Sequence, residues 1–294
     1  MREYLVVRGS EIFNQYELVT YLKSRFSKIV KITTPPIKSA RIEGVEVKVP
    51  SKSPEFDEIR QFIETKRKQG IPEFCNYQIG RYLRKYSAED LQSAQILQLN
   101  ISSHINSTGL KSGTVYERIC QYCNLGRQKS DLILDLKNVP RSKDIFETIA
   151  RTEWIVSSKF EHTCLENHLT GADFRKLFDR RNLTKESIEW RQLWITGNAG
   201  PLAEATALGR DPFKPDQVSW RCPLGHSVVT QFLSEIYLRK NAWDGSDIAV
   251  TTDLFGQGGG FIRPMPLIIV SQRAYRVFQQ AGLKGMSYEV AHLD

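Results

Sequence analysis

The sequence has no long apolar run. No uninterrupted stretch approaches the roughly 18 residues of a membrane span, so no transmembrane helix is expected. Cysteine is scarce too: five in 294 residues, an odd number, cannot make a disulfide scaffold. A reduced, cytoplasmic setting fits that count, with some thiols free to hold metal. The opening stretch MREYLVVRGSEIF has only a short apolar patch, Tyr4–Val7, and no small-residue cleavage site, which argues against a secretory signal. Compositional bias is absent as well. With 40% hydrophobic and 25% charged residues, the chain can build a packed core and is not of the disordered class.

What is present is positive charge, +8 overall and unevenly placed. Residues 1–85 hold 17 Lys+Arg against 10 Asp+Glu, whereas the remainder holds 24 against 23. A basic N-terminal part can meet nucleic acid or an acidic protein. Tyr77, Tyr82 and Tyr86 lie among those charges, but Tyr82 and Tyr86 fall at helical spacing with Leu83, which packing explains as well as base stacking does.

The length suits one large domain or two ordinary ones. Tyr4–Arg8, Ile29–Thr33 and Arg41–Val49 read as strands, and Gln15–Phe26 and Phe56–Lys68 as amphipathic helices. Ser87–Asp90 opens a further helix carrying Leu91, Ala94 and Leu97. Ser102–Thr114, rich in Ser, Asn and Gly, reads as a linker. The expected fold class is α+β, with a basic N-terminal α/β domain over residues 1–110 and a C-terminal domain over residues 111–294.

That C-terminal part carries one unit twice, over about 116–178 and about 218–294. Cys120-Gln-Tyr-Cys123, Asp144-Ile145, Trp154-Ile-Val-Ser157 and Leu169-Thr-Gly171 recur as Cys222-Pro-Leu-Gly-His226, Asp247-Ile248, Ile268-Ile-Val-Ser271 and Leu283-Lys-Gly285. The offset is 102 or 103 up to Asp247 and 114 from Ser271 onward, so an insertion of about eleven residues near Gly256–Pro266 reconciles the two. Each copy reads as a short β-branched strand, a serine-capped helix over Lys159–Leu165 or Gln272–Gln280, a glycine turn and a closing strand. Two β–helix–β pseudo-repeats packed about a pseudo-twofold are the expected architecture.

The correspondence matters most at the cysteines. Cys120 and Cys123, two thiolates at CxxC spacing, form half a metal site, and the repeat places Cys222 and His226 opposite them. Three thiolates and one imidazole make a closed tetrahedral set for zinc, structural in role and joining the copies. A second candidate set is His162, Cys164 and His168; Cys75 reads as a buried thiol.

With Leu134-Asp-Leu136 after the first half-site and the ending Asp253-Leu-Phe255, Pro266–Ser271 and Leu283-Lys-Gly-Met-Ser-Tyr288, residues 116–294 resemble the double-CxxC(G) family of bacterial proteins. That family is related in pattern to immunity proteins of polymorphic toxin systems. Cys-Pro-Leu-Gly-His stands here where the family has a second Cys-x-x-Cys-Gly. The resemblance implies a cytoplasmic protein that binds a cognate toxin one to one and occludes it, with contact surfaces in the basic N-terminal part and the Trp190–Trp194 segment. For Trp190 and Trp194, spaced i, i+4, a core stripe is the simpler reading. A zinc-containing nucleic-acid-binding protein is the alternative.

An enzyme is not expected. Gly256-Gln-Gly-Gly-Gly260 is followed by Phe261-Ile-Arg-Pro264 where a phosphate loop needs a helix N-terminus, so it reads as a plain loop. The five histidines form no recognisable nucleophile–base signature. Glu235 and Asp247 near the second half-site suggest a carboxylate base at a catalytic zinc, but four protein ligands leave no position for water.

Overall fold

The structure, a computed structural model, describes residues 1–10, 20–21, 24–26, 31–33, 44–50, 54–70, 82–137, 139–150, 153–209, 220–229, 231–255 and 264–294. The fold is mixed α+β and divides into two units. One comprises Met1–Ser87, Leu208–Val218 and Gln231–Leu233; the other comprises Ala88–Ala207, Ser219–Thr230 and Ser234–Asp294. Among the described residues, no helix is long and apolar enough to cross a membrane.

In the first unit, β1 (Arg2–Ser10), β2 (Lys31–Thr33), β3 (Gly44–Pro50) and β4 (Tyr82–Lys85) form an antiparallel sheet in the order β2-β3-β1-β4. Helix α1 (Glu55–Lys68) starts with three acidic residues, which suits the positive end of its dipole, and buries Ile59 and Ile63 one turn apart. Tyr82 lies on β4 rather than on a helix, since an i, i+4 pair shares a face of a strand as well as of a helix. The helix expected over Gln15–Phe26 falls largely outside the described residues, as do Cys75, Tyr77 and Gly256–Gly260.

The boundary expected at residue 110 lies at Ser87 instead. From there run α2 (Ala88–Ser93), β5 (Ile96–Ile101), β6 (His104–Ile105), α3 (Gly109–Ser112), β7 (Tyr116–Arg118), β8 (Gly126–Gln128) and β9 (Leu132–Leu134). Leu97, expected on a helix, is therefore a buried strand residue. The segment expected to be a linker is folded because its polar groups are used. Thr108 caps α3 by accepting from the Lys111 N–H, and the Thr114 hydroxyl bridges the Ile133 N–H and carbonyl. The Gly109 N–H donates to buried Glu153, which also takes the Tyr116 hydroxyl at 2.6 Å.

Next come β10 (Ile145–Thr148), β11 (Trp154–Ser157), α4 (Ser158–Glu166), β12 (Ala172–Arg175), β13 (Leu177–Asp179) and β14 (Asn182–Glu186). They are followed by β15 (Trp190–Ile195), β16 (Gly197–Gly200), β17 (Leu208–Gly209, in the first unit), β18 (Trp220–Arg221), β19 (Ser227–Val229) and β20 (Gln231–Phe232, again in the first unit). The chain ends with β21 (Ile236–Leu238), β22 (Ile248–Thr251), β23 (Leu254–Phe255), β24 (Ile268–Ser271), α5 (Gln272–Gln280) and β25 (Met286–Leu293).

Two sheets organise this unit, ordered β6-β10-β11-β15-β12 and β16-β22-β24-β5-β25-β21. Through their first five strands they match in order and direction, parallel at the first pairing and antiparallel at the next three. The fourth strand is exchanged. β15, which follows the first copy in sequence, completes the first sheet, and β5, which precedes it, completes the second. Registers agree residue for residue: Ser157 pairs with Trp190, and Ser271 pairs with Ile96.

Both helices start at a serine cap, Ser157 accepting from the Phe160 N–H and Ser271 from the Ala274 N–H. An aspartate ties each cap across to the other copy. Asp144 accepts from the Ser157 hydroxyl at 2.9 Å and the Lys284 N–H at 2.8 Å; Asp247 accepts from the Ser271 hydroxyl at 2.7 Å and the Thr170 N–H at 3.0 Å. Gly171 and Gly285, both at positive φ, follow these contacts. A Cβ there would stand 2.1 Å from the Ile248 carbonyl oxygen and 2.4 Å from that of Ile145, so only glycine allows the approach.

Strand residues alternate between two cores. Ile145, Trp154, Val156 and Leu193 meet Leu97, Leu99, Ile248, Ile268 and Val270 of the other sheet, with Phe160 and Phe278 of the helices between them. On the reverse side of the first sheet, Phe146, Ile155 and Trp190 pack with Leu132, Leu134 and Leu177. Each such large side chain stabilises the fold by about 1.5–3 kcal/mol.

Candidate metal centre

Each half-site is the turn of a short hairpin. β7 pairs with β8 around Ile119–Leu125, and β18 pairs with β19 around Cys222–His226. In the first turn the Ile119 and Cys120 N–H groups both donate to the Leu125 carbonyl, and Asn124 takes a left-handed φ of 58°, which asparagine tolerates. In the second, the Cys222 N–H donates to the His226 carbonyl and the Gly225 N–H donates to that of Cys222. Gly225, with φ 82°, supplies the extra step that lets a histidine one residue further along face the cysteines.

The structure brings Cys120, Cys123, Cys222 and His226 together, one ligand atom from each lying within 4.8 Å of the others. The Sγ atoms of Cys120 and Cys222 are 3.8 Å apart; His226 Nδ1 stands 3.3 Å from the Cys222 sulfur and 3.7 Å from that of Cys123. Metal–sulfur bonds of about 2.3 Å at tetrahedral angles separate two sulfurs by about 3.8 Å, and a sulfur from an imidazole nitrogen by about 3.5 Å. The observed separations match the edges of that tetrahedron and are far from the roughly 2.05 Å of a disulfide. All four cysteines of the second unit are free thiols. Cys120, Cys123 and Cys222 are buried and His226 is half-buried, so the cluster is compatible with a metal site closed to solvent.

The local field is uneven. The Cys123 N–H, aimed at the Cys120 sulfur, holds that thiol down at about 6, with further donors from Tyr122, Cys123 and His226. Burial pushes Cys123 up to about 11, and the neighbouring sulfurs add to the rise.

The second candidate set does not converge. Cys164 is buried in the core, where burial pushes its thiol up to about 12, while His162 is exposed and pairs with Glu166 at 3.0 Å. Glu235 binds His292 at 2.8 Å and Asp247 accepts from the hydroxyl of the capping Ser271, so neither belongs to the cluster. Trp190 is buried, as a core stripe requires, but on a strand; Trp194 is half-buried under the Arg175 guanidinium.

The sequence reading missed the roles of Asp144 and Asp247, although both stand at the repeat offset, and it missed Glu153. The signal for the aspartates is a repeated acid accompanying a repeated serine cap, Asp144 with Ser157 and Asp247 with Ser271. No protein-family model matches this sequence, and no curated protein matches it.

Proposed function

We propose that this chain is a cytoplasmic immunity protein that binds and occludes a cognate toxin one to one, built on a tandem duplication whose copies share one structural zinc. The supporting observation is the closed donor set. Three thiolates and an imidazole spaced as a tetrahedron suit zinc, and with four protein ligands the ion would stabilise the fold rather than activate water. Cys120 and Cys123 would hold it from one copy, and Cys222 and His226 from the other. An inhibitor that acts by occlusion needs a fixed, complementary surface rather than a poised nucleophile. Two copies joined by exchanged strands and a shared ion supply a rigid frame for one.

Co-expression with the product of the adjacent toxin gene tests the reading. Rescue of growth and copurification at one to one are expected, and failure of both overturns it. The basic balance of residues 1–85 supports a second reading, binding to nucleic acid. Affinity for an oligonucleotide that falls steeply with added salt would favour that reading, and a flat response would remove it.

A further inference from the structure

Beside the metal cluster lies a cavity of about 250 Å³. Ile119 and Leu125 of the first knuckle form one wall, and Tyr116, Trp194 and Pro264 close the rest. The polar ends of its lining are already used. The Tyr116 hydroxyl donates to Glu153, and the Gln128 amide pairs reciprocally with that of Gln192 at 3.0 and 2.7 Å. The Arg175 guanidinium sits 3.5 Å from the Trp194 ring centroid and holds the indole in place. What remains is an aromatic slot with one cation, Arg127, at its edge.

The surface around the slot is apolar and basic. Tyr122 is 50% exposed and Leu224 59%, on the two loops whose ligand atoms converge, and Ile119 at 41% continues that apolar surface into the cavity. Exposed hydrophobic clusters of this kind mark interaction sites. Arg118 and Arg127 are exposed on the paired strands β7 and β8; Glu117 stands opposite Arg127 in the register but pairs with Lys129 at 3.2 Å, and neither arginine makes an ion pair among the described residues. A cavity of this size falls below the roughly 300–1,000 Å³ of small-molecule sites, and fits one large side chain inserted as an anchor.

We propose that the first knuckle and Trp194 form the docking site for an acidic protein segment, which inserts one aromatic side chain into the slot and sets carboxylates against Arg127 and Arg118. This deepens the immunity reading, on which it rests for the identity of the partner, by naming the contact. The ligating cysteines hold the slot's Ile119–Leu125 wall in shape.

The test uses the metal-loaded full chain and a fluorescein-labelled Asp-Glu-Phe-Asp-Glu peptide, read by anisotropy. Saturable binding is expected, weakened about tenfold when the phenylalanine becomes alanine and about fivefold by Arg127→Glu. Trp194→Ala should abolish it; should that variant lose its metal or its thermal transition, Leu224→Asp replaces it, with an expected loss of about fivefold. No binding, equal binding of the alanine peptide, indifference to Arg127→Glu, or displacement by a thymidine oligonucleotide would overturn the site. Peptide binding without toxin rescue would sink the immunity reading alone. Rescue that survives Arg127→Glu and Leu224→Asp would sink the docking site alone.

Discussion

Residues 145–175 and 248–289 trace the same strand–strand–helix–strand path, yet matched positions differ where the copies touch. The inward positions of α4 are Phe160 and Cys164; their counterparts on α5, at the same offset of 114, are Ala274 and Phe278. Large stands against small, and the rings of Phe160 and Phe278 meet with centroids 5.0 Å apart. A symmetric dimer would have to place like against like on its axis. Two copies in one chain can fill the same volume with complementary side chains.

The same divergence runs through the polar contacts. Among the described residues Lys159 reaches the Gly282 carbonyl, whereas its counterpart Arg273 reaches the His168 carbonyl and also pairs with Asp247 at 2.9 Å. Asp247 is buried and Asp144 half-buried. The second copy's aspartate thus carries the heavier duty, in a hairpin whose connection between β22 and β24 is far longer than that between β10 and β11.

The comparison can be broken at the metal first. Cys120→Ser and Cys222→Ser remove one ligand from each copy, and both should take the metal from one ion per chain to none. Thermal unfolding should fall by more than about 10 °C, given the large share of folding free energy that structural ions supply. Metal analysis with calorimetry checks this, and a variant retaining the ion would show two independent half-sites. Next, Asp247→Ala should cost about 2–4 kcal/mol in urea unfolding, because the buried carboxylate is the acceptor for two hydroxyls and the Thr170 N–H, with exposed Arg273 adding little; Asp144→Ala should cost about 1–2 kcal/mol. Equal costs would erase the asymmetry.

Gly171→Ala and Gly285→Ala sharpen it from the other side. Both meet the equivalent carbonyl at positive φ, so each should cost about 2–3 kcal/mol in the same assay, with little difference between them. The effect that is smallest at neutral pH is read as an alkaline slope. Burial holds the Cys164 thiol neutral up to about 12, whereas the unfolded thiol ionises near its ordinary value. The folded form therefore keeps a proton that the unfolded form loses. Stability from this group is fully present below about pH 8.5 and falls by about 1.4 kcal/mol per pH unit as pH rises toward 12. Cys164→Ala should flatten that alkaline limb relative to the parent, a change that Phe278 at the matched position has no group to produce.

The cysteine–histidine cluster and helix α5 were legible in the residues themselves. Cys120, Cys123, Cys222 and His226 stand at the repeat offset, and the Ser271 cap precedes a strongly amphipathic run. Two local readings failed. Tyr82 and Tyr86 share a face at i, i+4 in either element type, and Leu97 extends a helical stripe only if the chain stays helical past Ala94. Ser102–Thr114 looked like a linker because composition does not reveal that its hydroxyls and N–H groups find partners at Ile133 and Glu153.

By itself the sequence determined the local pieces: strand and helix periods, serine caps, glycine turns, and the matched spacing of four sulfur and nitrogen donors. Only the tertiary structure decided that β5 and β15 change places between the sheets. An apolar strand carries a pattern that says which faces it buries but not whose edge it completes, and that choice belongs to the packing of the whole unit.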